Sequence, residues 1–251
     1  MRVSINYPGA LNGLLLQAKD KEIVFLDEIH ELFPPAQTQL YRAMEGQQIS
    51  LRTNGDNTLN MPLQDFTIIG CTTDEYRLLS PLRQRFKIVI PFSTYDDDSL
   101  ARITLQRAQL MNLNIDPEIA TQIAKRSRGT PRLAIRLLES CQRYARSQGE
   151  DNITMHHFEQ TVLLDGIDSL GLGPDEQRIV NYLTIQAGKP VRLFTLEAVT
   201  GVHRRTIQEV IEPFLIQQGL IERAPQGRVI TEKGIRHVES SKQLQPVAEV
   251  S

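Results

Sequence analysis

Hydrophobic positions in the first third of the chain occur in short continuous runs, not in the alternating pattern of a half-exposed strand. Three such runs, rich in β-branched residues, span 22–28, 66–73 and 87–91. Continuous runs are typical of strands buried on both faces, as in the parallel sheets of α/β proteins. A helix is predicted over about 35–44, between the first two runs. The pattern therefore predicts part of an α/β domain.

A different pattern lies between this helix and the second run. Residues 48–52 and 58–61 are two short segments separated by Asn54-Gly55-Asp56. An Asn-Gly pair favours the tight turn that joins two antiparallel strands. We therefore expect a β-hairpin at about 48–61, inserted between core elements and projecting from them.

The pattern becomes helical after residue 98, and polar capping residues mark the helix starts. Four short helices are predicted over 99–166, and short helices joined by tight turns form a small bundle. The expected caps are Asp98 or Ser99, Asp116, Thr130 and Thr154.

A glycine-rich stretch at 166–174 predicts a linker to another domain. Beyond it, three helices and then two short strands are predicted within 172–238, the order of a winged helix. We expect Pro213 to kink the third of these helices. The polar tail, 239–251, is predicted to be disordered.

Composition excludes several classes of protein. The 251 residues are 40% hydrophobic and 23% charged, as in soluble proteins of two or three domains. No apolar run approaches the roughly 20 residues of a membrane span, and the first residues do not resemble a secretory signal. The two cysteines, Cys71 and Cys141, do not have the spacing of zinc ligands. A cytoplasmic protein is expected.

Charge is distributed unevenly along the chain, although the net charge is only −2. Residues 1–98 carry 9 Lys/Arg against 13 Asp/Glu, whereas 99–166 and 172–238 each carry 9 against 7. Any contact with nucleic acid is therefore expected to be local and to lie in the later sections.

Two adjacent carboxylates, Asp27 and Glu28, follow the first buried run. At the carboxyl end of a strand, the first could hold Mg²⁺ on a nucleotide and the second could polarise the attacking water, as in a Walker B motif. A strand that simply ends in surface acids is the alternative interpretation.

Further groups suited to phosphoryl transfer follow in order. Thr73 ends the next buried run, where a hydroxyl could orient water or a phosphate, although such residues also occur in plain turns. Arg83 and Arg85 precede the third run. A guanidinium from a neighbouring subunit can neutralise charge in the transition state, although either arginine taken singly could simply form a surface salt bridge. Arg132 lies in the first turn of a helix, where its charge opposes the helix dipole, which favours an anionic ligand.

This ordered set resembles the RuvB family, whose members drive branch migration of Holliday junctions as ring-shaped, hexameric AAA+ ATPases. The resemblance covers about residues 9–238. The most specific stretches are LDEIH at 26–30, LYRAME at 40–45, RSRGTPR at 126–132 and EPFLIQQG at 212–219.

The resemblance implies an AAA+ fold and a set of site residues. Residues 1–98 would be the C-terminal part of the large ATPase domain, 99–166 the helical lid and 172–238 a winged-helix DNA-binding domain. ATP and Mg²⁺ would be the cofactors. The implied roles are a Walker B pair in Asp27 and Glu28, with Asp27 holding Mg²⁺ through the nucleotide, sensor 1 in Thr73, the arginine finger in Arg83 (or, second, Arg85) and sensor 2 in Arg132.

The resemblance also implies partners. The hairpin at 48–61 matches the element that docks RuvA in this family, and the chain would self-associate into a ring. Arg228 matches a wing arginine that touches the DNA backbone, within Gln226-Gly227-Arg228 where the family has Arg-Gly-Arg. Arg204 and Arg205 could supply the missing cation through sequence-neutral phosphate contacts, or could be a solvated helix start.

One departure from the family pattern concerns phosphate binding. The 251 residues contain no Gly-x-x-x-x-Gly-Lys-Ser/Thr motif, which supplies the backbone donors and lysine that cradle phosphates. We expect the chain alone not to hydrolyse ATP, and its sheet to expose apolar faces and edges. Three interpretations stay open: a piece of a full-length motor, a P-loop-less structural subunit, or a DNA-binding module.

Overall fold

The computed structural model describes residues 8–52 and 58–244 of the chain. The chain divides after Phe92 into two compact units. The predicted α/β section, helical lid and winged helix are all confirmed.

The described part of the first unit contains three α-helices and four strands. Helix and strand bounds are α1 Pro8–Gln17, β1 Ile23–Leu26, α2 Pro34–Gly46, β2 Gln48–Arg52, β3 Thr58–Pro62, β4 Thr67–Gly70 and α3 Ser80–Arg85.

The sheet of this unit is a parallel pair, β1 and β4, with Ile23 opposite Thr67. Val24 and Leu26 are buried in the core that α1 and α2 share with the sheet. The alternate side chains of β1 leave the other face open: Ile23 is 65% exposed and Phe25 57%. The sheet therefore exposes an apolar face, as the sequence predicts.

The prediction of a strand at 87–91 is wrong. This segment pairs with no strand among the described residues, and Ile88, Val89 and Ile90 are between 63% and 78% exposed. A strand is stable only when a neighbouring strand pairs with its backbone N–H and C=O groups. The apolar, β-branched sequence of 87–91 favours a strand but does not provide that neighbouring strand.

The predicted hairpin is present, because β2 and β3 pair antiparallel with Gln48 opposite Pro62. Ser50 Oγ donates to Asn60 Oδ1 across the pair at 2.7 Å. Ile49 is buried, which anchors the base of the hairpin in the core of the unit. The predicted turn at 54–56 lies outside the described residues.

The second unit begins with the four predicted lid helices, which enclose their own apolar core. The first helix is capped by Asp96, not by Asp98 or Ser99, because Ser99 N donates to Asp96 Oδ1 at 2.7 Å. The bounds are α4 Asp97–Leu110, α5 Pro117–Lys125, α6 Pro131–Ser147 and α7 Met155–Leu164.

The same unit continues into the winged helix. Its third helix is interrupted by a π-helical segment, Ile207–Ile211, just before Pro213, whose missing N–H prevents a regular ladder. The chain is helical to Leu244, so the prediction of disorder from residue 239 is wrong for 239–244. The bounds are α8 Pro174–Ile185, α9 Leu193–Thr200, α10 Arg204–Thr206, α11 Glu212–Gln217, β5 Ile221–Ala224, β6 Gly227–Ile230 and α12 Glu232–Leu244.

Candidate nucleotide and DNA sites

The carboxyl ends of β1 and β4 bring together residues that are far apart in sequence. Backbone bonds continue past the strands: Cys71 N donates to Leu26 O at 2.9 Å and Ile29 N to Cys71 O at 2.8 Å. Thr73 then donates from its hydroxyl to Glu28 Oε2 at 3.1 Å and from its amide at 3.3 Å. The candidate water-polarising carboxylate and the candidate sensor hydroxyl are therefore in direct contact.

Glu28 adopts an unusual backbone conformation, with φ 49° and ψ 50°. A non-glycine residue in this left-handed region is strained, and such strain is concentrated at functional sites. The conformation turns the chain out of β1 and into a 3₁₀ turn, Ile29–Glu31. Asp27 is exposed at the end of the strand, whereas Glu28 is half-buried.

His30 is the residue of this site to which the sequence assigns no role. Its imidazole is only 7% exposed and lies among three polar groups. Nδ1 is 2.9 Å from Thr72 Oγ1 and 3.2 Å from Glu28 Oε2, and Nε2 is 3.2 Å from Glu31 Oε1. The ring therefore supports Glu28 from the side opposite the solvent. Its position two residues after the acid pair is the only sequence signal for this role.

The candidate arginine fingers lie on α3, which a buried amide holds in place. Gln37 Nε2 donates to Leu32 O at 2.8 Å, and Gln37 Oε1 accepts from Leu79 N at 2.8 Å at the start of α3. Arg83 is 57% exposed and pairs with Glu75. Both partners are at the surface, so the guanidinium is free to exchange this carboxylate for another anion.

Arg85, the second choice for the finger, is 42% exposed and pairs with Glu45 on α2. It is therefore tied to a core helix of its own unit, whereas Arg83 pairs with a residue of the short connection before α3. Both ion pairs are exposed and therefore weak, so each guanidinium is accessible to another subunit.

The groups at the sheet edge fit the metal-binding and catalytic part of a nucleotide site, but not its phosphate-binding loop. Mg²⁺ on a nucleotide takes one or two protein carboxylates and completes its shell with phosphate oxygens and water. Asp27, at the end of β1, is such a carboxylate by position. No cluster of three or more His, Cys, Asp or Glu side chains suited to an all-protein metal site occurs in the described ranges. The phosphate cradle of a glycine-rich loop is not among the 251 residues.

Arg132 belongs to the second unit, in the first turn of α6. The preceding turn is tight: Gly129 has φ 68°, and Tyr95 N donates to Gly129 O at 2.9 Å. The Arg132 side chain is exposed and forms no hydrogen bond or ion pair with any described residue. An exposed guanidinium at the positive end of a helix is available for an anionic ligand.

The wing arginine Arg228 has a protein partner. Its guanidinium is 17% exposed and donates twice to Glu212, at 3.2 Å from Nε and 2.8 Å from Nη2. Glu212 is fully buried and also pairs with Arg223, whose side chain is 58% exposed. Burial raises the pKa of Glu212, but the hydrogen bonds from Arg228 and Arg223 outweigh it and lower the pKa below its usual value.

The start of the third helix is more accessible than the wing arginine. Arg204 is exposed, and Arg205 is 77% exposed with a single ion pair to Glu209 one turn later. His203 Nδ1 caps the helix by accepting from Arg205 N at 3.2 Å. Arg204 and Arg205 are thus placed on a solvated surface, as either interpretation of the sequence requires.

A membrane span needs a helix that is both long and apolar. None of the helices within 8–52 and 58–244 has the length and apolar character to cross a bilayer.

Domain models of one family match consecutive parts of the chain. The Holliday junction DNA helicase RuvB P-loop domain matches residues 3–92, the RuvB AAA lid domain 95–168 and the RuvB C-terminal winged helix domain 169–239. The end of the first match coincides with the division of the structure after Phe92.

Relatives and solved structures agree with this match. The chain is 38% identical over 239 residues to "Holliday junction branch migration complex subunit RuvB 1" of Synechococcus sp. (strain JA-3-3Ab), covering 94% of this chain and 63% of that protein's length. It is similar to the structure "Thermotoga maritima RuvB Holliday junction branch migration motor" (TM-score 0.73, 35% identity, 92% of this chain and 74% of that one). A point mutant of the Thermotoga protein gives a TM-score of 0.75 at 35% identity, over 92% and 75% of the two chains. The chain therefore belongs to the RuvB family.

Proposed function

We propose that this chain works in an ATP-dependent DNA motor that drives branch migration of Holliday junctions during recombination and repair. One observation carries the proposal: Thr73 donates to Glu28 at the carboxyl edge of the parallel sheet, although 45 residues separate them. The pairing places the candidate water-polarising acid beside the candidate phosphate-sensing hydroxyl, so that both could act on one phosphoryl group.

Each residue of the site has a part in the proposed reaction. Bound Mg²⁺-ATP would supply a phosphoryl group whose charge the metal partly neutralises. Asp27 would hold the Mg²⁺ of the bound nucleotide, while Glu28 would orient the attacking water and accept its proton. Thr73, as sensor 1, would orient water or the γ-phosphate, and its hydrogen bond to Glu28 keeps the two groups together. Arg83 would act as the arginine finger on the nucleotide of a neighbouring subunit. Arg132 would be sensor 2, a cation for the bound nucleotide.

The chain by itself is proposed not to hydrolyse ATP, because its 251 residues contain no lysine within a glycine-rich phosphate loop. Equilibrium titration of the full chain with a fluorescent ATP analogue and Mg²⁺ tests this, with Glu28→Gln as the matched variant. We expect neither protein to bind below about millimolar concentration. Tight binding by both, with hydrolysis only by the wild type, would overturn this part of the proposal.

DNA binding is proposed for the winged helix through phosphate contacts of Arg204 and Arg205. Removal of one arginine that binds a phosphate should reduce the slope of log affinity against log salt by about 1. We expect this reduction for Arg204→Ala in fluorescence-anisotropy titrations with a four-way junction. Arg146→Ala, which removes an exposed lid arginine, should leave the slope unchanged.

A DNA-binding module without ATPase activity is the second candidate. It is favoured by the second unit, whose lid and winged helix have closed apolar cores, whereas the sheet of the first unit is open on one face. Equal affinity for duplex and four-way junctions, unaffected by nucleotide, would favour this candidate over the motor.

Partners and location complete the proposal. The hairpin of β2 and β3 would dock a RuvA-like protein, with Leu59, 52% exposed, on the available surface. Self-association into a hexameric ring would bring Arg83 to a neighbouring nucleotide, and the motor would act in the cytoplasm. Sedimentation of the chain with and without junction DNA tests ring formation directly.

A further inference from the structure

The turn that leads into the candidate sensor arginine contains two consecutive left-handed residues. Arg128 has φ 51° and Gly129 has φ 68°. Thr130 Oγ1 donates to Arg128 O at 3.3 Å, and α6 begins at the next residue, Pro131. The backbone that carries Arg128 is therefore joined directly to the helix turn that presents Arg132.

The side chain of Arg128 extends away from this turn and into the winged helix. Both Nε, at 2.8 Å, and Nη2 donate to Gly171 O in the linker. Nη1 pairs with Glu176 Oε1 at 2.9 Å in the first turn of α8. The guanidinium also lies 4.3 Å from the ring centre of Phe214 on α11. One side chain thus contacts the linker, the first helix and the third helix of the DNA-binding domain.

This contact is largely shielded from solvent and its partners are fixed. Arg128 is 18% exposed and Glu176 13%, so solvent screening is weak. The second oxygen of Glu176 accepts from Gly173 N at 3.0 Å, which holds the carboxylate in place. A planar guanidinium can donate to two acceptors and stack on a ring at once, whereas a lysine ammonium cannot.

The linker itself is packed against the lid. Gly171 has φ 75°, and a Cβ atom there would lie 2.2 Å from Arg126 O, so only glycine allows this approach. Asp168 Oδ1 accepts from Leu172 N at 2.8 Å, and Asp168 Oδ2 contacts His237 Nε2 on α12 at 2.7 Å. The stretch predicted as a linker is therefore a hydrogen-bonded junction and not a hinge.

We infer that Arg128 is a positioning residue that fixes the winged helix to the lid, so that movement of the nucleotide-sensing turn is transmitted to the DNA-binding surface. The transmission part rests on the proposed function. The rigid attachment rests only on the contacts of Arg128 and can be tested without nucleotide or DNA.

The test is a spin-label distance measurement on the full chain. Labels at Gln148→Cys in the lid and Glu222→Cys in the wing, in a Cys71→Ser background, report the spread of lid-to-wing distances. We expect a narrow distribution for the parent chain and one at least about twofold broader for Arg128→Ala, because this change removes three fixed interactions together. Arg128→Lys should also broaden the distance distribution, because an ammonium keeps the charge but not the planar arrangement of donors of the guanidinium.

Two further variants make the outcome decisive. Arg146→Ala removes an equally charged lid residue and should leave the distribution narrow. Glu176→Gln keeps the side-chain size, so it tests the same contact should Arg128→Ala fail to fold; we expect intermediate broadening. A distribution as narrow as the parent's in both Arg128→Lys and Glu176→Gln would overturn the inference.

DNA titrations of the same variants separate this inference from the proposed function. Arg128→Ala should weaken junction binding without changing its salt dependence, because the guanidinium is already held by Gly171, Glu176 and Phe214. If even the parent chain fails to bind DNA, the proposed function fails, while the distance measurement still decides the role of Arg128.

Discussion

Glu212 is the residue whose ionisation should matter most for the stability of the winged helix. Its lowered pKa means that the carboxylate is ionised in the folded state at a pH where the unfolded chain binds a proton. The stabilisation is therefore present above about pH 4.5, the ordinary value for this group, and is lost as pH falls through the folded pKa. We expect Glu212→Gln to destabilise the domain by about 2–3 kcal/mol at pH 7.

Urea denaturation at pH 7 and pH 4, followed by circular dichroism, checks this expectation. The difference between the variant and the parent should shrink at pH 4. Glu209→Gln, which alters an exposed carboxylate on the same helix, is the matched control and should change stability by less than about 0.5 kcal/mol. An equal loss for Glu212→Gln at both pH values would contradict the ionic explanation.

The two thiols should differ sharply in reactivity. Cys141 is fully buried in the lid, and burial raises the pKa of its thiol to about 11, whereas Cys71 is partly exposed. Because the thiolate is the reactive form, we expect one thiol per native chain to react with a thiol reagent at pH 8, and both in denaturant. Mass spectrometry of the labelled chain identifies the site; rapid native labelling of Cys141 would contradict the expected packing.

At the scale of elements, the turn before α6 depends on glycine. An added Cβ at Gly129 would lie 2.6 Å from Thr94 Cβ, and the positive φ alone costs about 1–2 kcal/mol for alanine. Gly149 has a similar φ of 79° but nothing within 4 Å of an added Cβ. We therefore expect Gly129→Ala to lower the free energy of unfolding by at least about 1 kcal/mol more than Gly149→Ala. Equal decreases in the free energy of unfolding for the two variants, measured by chemical denaturation, would show that Thr94 moves to make room for the methyl group.

Elements that are determined by interactions between residues close in sequence were predictable from the sequence. The caps of α5 and α7 bond within three residues of Asp116 and Thr154, so both helix starts follow from the sequence alone. The meeting of Glu28 and Thr73 followed from parallel strand order, because carboxyl ends of parallel strands share an edge.

Elements that depend on distant partners were not predictable. Whether 87–91 is a strand depends on a neighbouring strand, which the segment itself does not encode. The contact of Arg228 with Glu212 joins residues 16 apart in two different elements, and the contact of Arg128 with Glu176 spans 48 residues. Side-chain charge alone does not distinguish such internal partners from DNA phosphates.

At the scale of the whole molecule, the two units should differ in resistance to proteolysis. The connecting segment between α3 and α4 forms no helix or strand, and Phe92 is 90% exposed. The second unit has closed apolar cores, while the first has an open sheet face. We expect limited proteolysis to cut within about 86–96 and to leave a stable C-terminal fragment, identified by mass spectrometry. Degradation of both units at one rate would contradict this expectation.

The β1–β4 pair also has a consequence for the order in which the chain folds. Its partners, such as Ile23 and Thr67, are 44 residues apart, whereas the lid and winged helix consist largely of local helical contacts. Non-local parallel pairing is slow because the chain loses the entropy of closing a long loop before any stabilising contact forms. We therefore expect the first unit, which leaves the ribosome before the second, to fold last. Apolar strands such as β1 would then be unpaired while the later helices form. A chaperone that holds nascent strands should raise the soluble yield of this chain more than that of its C-terminal unit.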